Sequence, residues 1–305
     1  MKLQSFIEAH SSEEACKQAF KQYRLSAGVT CKKCGSIKHY WLSTIKQFKC
    51  KQCGFRTTLR SGTVMEASKL PFQYWFFAMY FMTMTKKGVS AKELQRQLGH
   101  KRYEPVWLMM HKLRVTMGKR DDGYLLEGSV EMDEAFFETV NKKEENEKLK
   151  RGRGSQRQTK VLVMAESEAV KSKKQQRTNK RCGYFKMKVI ENTEAVTINR
   201  EVEKAVEPTA VAITDKYPCY NKLKEVLAGH QAVKCVPKEA HKLLPWVHTA
   251  IGNAKRALLC AYHRIDGIYL QNYLNEFCYK LNRRYFGLDI FERLVFAVSA
   301  FTWYN

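Results

Sequence analysis

The sequence predicts a multidomain fold: a small cysteine-anchored ribbon, a short helical segment of helix-turn-helix type, then a larger α/β domain on a mixed sheet. Three observations carry this reading. Two Cys-x-x-Cys pairs, Cys31 with Cys34 and Cys50 with Cys53, are each followed by glycine. From Leu70 to Leu113 apolar residues recur at helical spacing. Beyond residue 121 short apolar, strand-like runs alternate with polar stretches, and two such runs carry an acid, Asp133 and Asp215.

The chain has 305 residues, 44% of them apolar, which is enough for two or three domains and rules out a disordered chain. Lys and Arg number 54 against 30 Asp and Glu, a formal charge of +24. That excess is silent on fold but points to a polyanionic partner, nucleic acid first. The opening Met1-Lys2-Leu3-Gln4-Ser5 lacks the apolar core of a secretory signal. A cytoplasmic setting is therefore expected, where ten cysteines serve as thiols and metal ligands rather than disulfides. The runs from Leu70 to Met84 and from Leu294 to Trp303 are too short for a bilayer, so no membrane partner is expected.

Residues 1–28 read as a helical lead-in, capped by Ser11 or Ser12, with Ala15, Ala19, Phe20 and Tyr23 along it. Residues 29–62 hold the cysteine pairs. Glycines Gly35 and Gly54 permit the tight turns that aim four thiolates at one ion, and the spacing fits a closed, structural tetrahedral zinc site. Tyr40, Trp41, Ile45 and Phe48 supply a hairpin between the pairs, which makes this a zinc ribbon. Residues 63–120 read as helices. Leu70-Pro71 starts one. Ser90 with Glu93 forms a capping box for a second, which Gly99 ends, and a third begins near Pro105. Helix, glycine turn, helix is the helix-turn-helix pattern, and Lys101, Arg102, His111, Lys112 and Arg114 surround it with positive charge.

Asp121-Asp122-Gly123 opens the segment 121–305. A strand carrying Val130, Met132 and Phe136 also carries Asp133 and Glu134, and a carboxylate among apolar residues needs a partner or a metal. A basic loop follows, with Arg151 and Arg153 suited to phosphates. Strands are expected at Val161–Ala165, Tyr184–Val189, Val211–Thr214 and Ala232–Val236, with a Thr193-capped helix before the third of these. Three antiparallel strands, a helical crossover and a parallel strand make the ribonuclease H-like layout, which sets Asp133 near Asp215. Two such acids are oxygen donors suited to magnesium. A helix from Trp246 to Tyr262 holds His248, Asn253, Lys255 and Arg256, and two further helices, Tyr269–Arg284 and Ile290–Tyr304, are expected on the sheet.

With these motifs in place, the chain resembles bacterial insertion-sequence transposases of the DDE type, which join a zinc ribbon to a ribonuclease H-like domain. The carriers are the cysteine pairs, Ser61-Gly62-Thr63, Lys87 to Ala91, Val130 to Glu134, Thr214-Asp215 with Tyr220, His248 to Arg256, and Tyr273 to Phe277 leading to Leu281 to Arg284. The resemblance runs from about residue 10 to 300. It implies DNA strand cleavage and transfer with two Mg2+ (or Mn2+) ions per active site, and one structural Zn2+. It also implies that Asn253 takes the third metal position, followed by Lys255. A helical i, i+2 pair points to nearly opposite faces, so Asn253 and Lys255 cannot both face the metal on a regular helix. Expected partners are double-stranded DNA, at the element's terminal inverted repeats and at the target, and further copies of the chain in a homodimer or higher oligomer. The expected location is the bacterial nucleoid. Two rival readings stay open: a catalytically inactive zinc-ribbon regulator, and a ribonuclease H-like nuclease that cuts without joining.

Overall fold

A computed structural model describes residues 2–140, 158–169, 180–234, 243–262 and 264–303. The chain divides into two compact units, one of Met1–Arg120 with Arg283–Asn305, the other of Asp121–Asn282.

The first unit opens with helices α1 (Leu3–Ala9) and α2 (Glu13–Ala27). Ser12, not Ser11, caps α2, its hydroxyl accepting the Ala15 N–H at 3.2 Å. The ribbon is an antiparallel sheet of β1 (His39–Leu42), β2 (Gln47–Cys50) and β3 (Arg56–Thr58). Helices α3 (Phe72–Met84), α4 (Ala91–Leu98) and α5 (Glu104–Asp122) follow. Helix α3 is apolar on every side, and Trp75, Phe76, Met79 and Met82 are fully or almost fully buried. Ser90 caps α4 by accepting the Glu93 N–H at 3.1 Å, and Gly99 closes it in the left-handed conformation.

The last helix completes this unit. In the sequence it reads as part of the 121–305 segment, lying on the larger sheet. Instead α9 (Ile290–Ala300) packs against α2 and α3. Its Phe291 meets the Phe6 ring edge-on at 5.3 Å, and the buried Arg24 donates to the Ser299 carbonyl at 2.8 Å. An apolar stripe fixes only that a helix is buried, and here the aromatic face of α1 and α3 supplies the match.

The second unit holds β4 (Ser129–Glu138), β5 (Gln158–Ala169), β6 (Lys180–Ile190), β7 (Val211–Asp215) and β8 (Gly229–Val233). Their order is β6-β5-β4-β7-β8. The β4–β5 and β5–β6 pairs are antiparallel, while β4–β7 and β7–β8 are parallel. This is the ribonuclease H-like layout. Helix α6 (Ala195–Ala205) covers one face, where Val130, Met132 and Ala212 join Ile198 and Val202. Helices α7 (Pro245–Ala261) and α8 (Leu270–Asn282) cover the other, where Ala135 and Phe137 join Ala250, Ala254 and Leu274. The start of α6 is shaped by Asn192, whose carbonyl accepts the Glu194 N–H at 3.1 Å, rather than by Thr193. Strand β8 begins at Gly229, earlier than the apolar run from Ala232, because parallel pairing to β7 recruits the polar His230 and Gln231. The two ends of the unit meet: Asn282 Nδ2 donates to Asp121 Oδ2 at 3.0 Å. Among the described residues no helix is long and apolar enough to cross a membrane.

Candidate active site and zinc centre

The four cysteines converge. The ligand atoms of Cys31, Cys34, Cys50 and Cys53 lie within 4.8 Å of one another, with Cys31–Cys53 Sγ atoms 3.5 Å apart and Cys34–Cys50 3.6 Å apart. Tetrahedral Zn–S bonds of about 2.3 Å put sulfurs roughly 3.8 Å apart, so the site fits zinc with a slight expansion. Each pair sits on a turn in which glycine donates back, Gly35 to the Cys31 carbonyl at 2.9 Å and Gly54 to the Cys50 carbonyl at 3.1 Å. Both glycines have positive φ, 71° and 72°. The Cys53 N–H, directed at Cys50, draws that thiol down to about 6 and so favours the thiolate that a metal takes.

In the second unit the two acids are carried by neighbouring parallel strands, β4 and β7. Ser129, Val130 and Glu131 pair in parallel with Val211, Ala212 and Ile213, and the pairing ends there, two residues before Asp133 on β4 and two before Asp215 on β7. Side chains alternate along a strand. Met132 faces the α6 side, so its neighbour Asp133 faces the α7 side, while Asp215 closes β7. Asp133 Oδ1 accepts its neighbour Glu134's N–H at 2.9 Å, and Asp215 Oδ1 accepts the Tyr217 N–H at 3.0 Å. His248 of α7 brings Nδ1 to 3.7 Å from Asp133 Oδ2. Behind Asp215, Thr214 Oγ1 lies 2.8 Å from His230 Nε2, and burial lowers the His230 pKa. Glu134 turns to the opposite face, where the buried Cys219 thiol donates to its Oε1 at 2.9 Å. Burial also drives the Cys219 pKa well up, so it stays a thiol.

Helix α7 carries the remaining expected site residues. On a regular helix Asn253 stands about 140° round from His248, whereas Lys255 lies within about 20° of it, two turns on. The Asn253 carbonyl accepts from Arg256 Nη2 at 2.8 Å. Lys255 Nζ lies 5.7 Å from the centre of the Phe137 ring, further along β4. Thus Asp133 and Asp215 lie on neighbouring parallel strands, each two residues beyond the last paired residues, His248 meets Asp133, and Asn253 is engaged with Arg256. The residue that sequence reasoning passed over is Glu131. It is fully buried on the same face as Asp133, and its Oε2 accepts the Trp246 and Val247 N–H groups at 2.8 and 3.3 Å. The one signal was an acid at an inward position of an apolar strand.

Of the expected DNA contacts, Lys101, Arg102 and Arg256 are exposed. Lys112 and Arg114 are not available. Arg114 is 1% exposed, and Lys112 is buried with its ammonium 4.4 Å from the Trp303 ring centre. Helix α5 is buried on several sides, so these two cations pack inside the unit instead of facing solvent. Arg151 and Arg153 lie outside the described residues.

A cysteine-anchored ribbon, a helical unit and a ribonuclease H-like mixed sheet define a multidomain zinc-ribbon protein. Residues 125–282, just over half the chain, match the ISXO2-like transposase domain, and residues 11–56 match the transposase zinc-ribbon domain. The chain belongs to the ISXO2-like transposase family. It is 28% identical over 152 residues to an uncharacterized protein in transposable element ISH50 of Halobacterium salinarum. That match covers 48% of this chain and 50% of the relative, so the chain spans half the length of the curated relative it matches. Among solved structures, the Mos1 mariner paired end complex with Mn aligns at 13% identity and a TM-score of 0.30, covering 70% of this chain and 75% of that one. The Mos1 strand transfer complex aligns at 12% identity and a TM-score of 0.28, covering 77% and 80%.

Proposed function

We propose that this protein is the transposase of an insertion sequence, binding the element's ends and performing divalent-metal-dependent strand cleavage and strand transfer at Asp133 and Asp215. The observation that supports it most is that Asp133 and Asp215 each stand two residues beyond the last paired residues of the neighbouring parallel strands β4 and β7, in a chain of the transposase family. Carboxylate oxygens are the donors that magnesium or manganese prefers, so Asp133 and Asp215 would hold the cation. Bound there, it supplies charge stabilisation for in-line displacement at a phosphodiester.

The chain's own groups do the rest. His248 orients Asp133. Lys255 and Arg256 hold phosphates of the DNA. The Asn253 side-chain oxygen, which accepts from Arg256 on a different face of α7 from His248, would become the third, uncharged oxygen donor only if Arg256 moved to a phosphate and α7 turned about its axis. The zinc ribbon and α3 to α5 read the terminal repeats, with Lys101 and Arg102 on the backbone, and two or more copies hold two ends together near the nucleoid.

The test is strand transfer on labelled end DNA with magnesium titrated. Asp133→Asn and Asp215→Asn are expected to abolish nicking and joining while DNA binding persists. Joining at the normal rate by either variant would remove the acid pair from the reaction. Wild-type nicking without joining would support the nuclease reading, and binding with neither would support the inactive regulator.

A further inference from the structure

We infer that Glu131 is a positioning residue: by capping α7 from β4 it fixes His248 beside Asp133. The inference rests on the transposase reading of Asp133.

Helix α7 starts without a cap of its own. Leu244 precedes it and gives no side-chain bond, Pro245 has no N–H, and the first turn holds no acid. The next donors are the N–H groups of Trp246 and Val247, which a local Ser, Thr, Asp or Asn would ordinarily accept. Here both go to one oxygen of Glu131, which lies 115 and 116 residues earlier in the chain. The His248 N–H then begins the helical pattern by donating to the Leu244 carbonyl at 3.3 Å. A fully buried carboxylate is costly, and two N–H donors at the positive end of a 17-residue helix offset that cost.

The placement makes the cap matter for chemistry. Glu131 and Asp133 are alternate residues on one face of β4, about 7 Å apart along the strand. Val247, which Glu131 holds, is the neighbour of His248, which meets Asp133. One strand therefore carries the acid and also the anchor for the side chain that touches it. A displacement of about 1 Å at such a site can cost on the order of 100-fold in rate.

The test uses the full-length, zinc-loaded protein. In Glu131→Ala, amide hydrogen exchange in the segment 246–248 is expected to rise at least roughly tenfold, and strand cleavage at saturating DNA to fall about 10–100-fold, with the apparent KM for DNA within about twofold. Glu131→Gln keeps a carbonyl oxygen able to accept both N–H groups, and is expected to recover activity to within about threefold of wild type. Should the alanine variant not fold, Glu131→Asp takes its place: it keeps the charge but falls one methylene short, and should resemble alanine. Unchanged exchange at 246–248, or Glu131→Gln less active than Glu131→Asp, would overturn the inference, since the charge and not the cap would then matter. If the wild-type protein transfers no strands, the transposase reading fails by itself, and the exchange comparison still decides whether Glu131 caps α7.

Discussion

Asp133 and Glu134 are adjacent acids that the fold sends in opposite directions. Both are visible in the sequence, but only the alternation along β4 assigns Asp133 to the α7 face beside His248 and Glu134 to Cys219. Glu134→Gln should therefore retain strand transfer within a few-fold, and Asp133→Asn should not, when the two are compared on the same labelled end DNA. The third position is decided on α7. Asn253→Ala is expected to lose most joining and Asn253→Asp to keep part of it, because an oxygen donor is retained. Near-normal joining by Asn253→Ala would give that position to His248, whose Nδ1 lies 3.7 Å from Asp133 Oδ2. His111 offers a check on the first unit. It is buried against Trp107, with ring centroids 3.9 Å apart, and burial lowers its pKa to about 3. The unfolded chain takes up a proton there near pH 6.5 that the folded unit refuses. Stability from this group is thus complete above pH 6.5 and falls as pH drops toward 3, by at most about 1.4 kcal/mol per pH unit. Urea midpoints between pH 7 and 5 should fall less steeply for His111→Gln than for wild type.

At the level of elements, what could be read from the sequence was local. Ser90, Gly99 and the cysteine-glycine turns act within a few residues of themselves, so their patterns survive in a single chain. The cap of α7 comes from another strand, and β8 is polar at its start, so neither left a pattern to read. Lys112 and Arg114 misled because charge near a helix-turn-helix pattern says nothing of which face is buried. The ribbon carries the clearest prediction for an element. With all four ligand positions filled by cysteine, zinc is part of the fold there. Cys50→Ser should lose the metal and weaken preference for the element's ends, as measured by metal content and by competition between end and random DNA. Full zinc occupancy in that variant would show the ligands to be misassigned.

On the scale of the whole molecule, a charge of +24 makes DNA affinity a matter of released counterions, so binding should fall steeply as salt rises. A flat salt dependence would point to a different partner. The division of the chain sets the choice of fragments. A piece spanning 119–305 carries α9 without α2 and α3, leaving Phe291, Leu294 and Val295 without their packing partners, whereas 121–282 ends where the second unit ends. The shorter piece should be the more soluble and the more cooperative in unfolding.

The hydrogen bond between Asn282 and Asp121 also bears on the order in which the chain folds. Until the second unit forms, α9 is joined to α2 and α3 by a slack tether of about 160 residues, whose closure costs roughly 4–5 kcal/mol in chain entropy. Once Asn282 has met Asp121 that tether is only a few residues long. The sheet thus acts as a clasp for the discontinuous unit, and refolding should show the sheet forming first and the Phe291 aromatic cluster last.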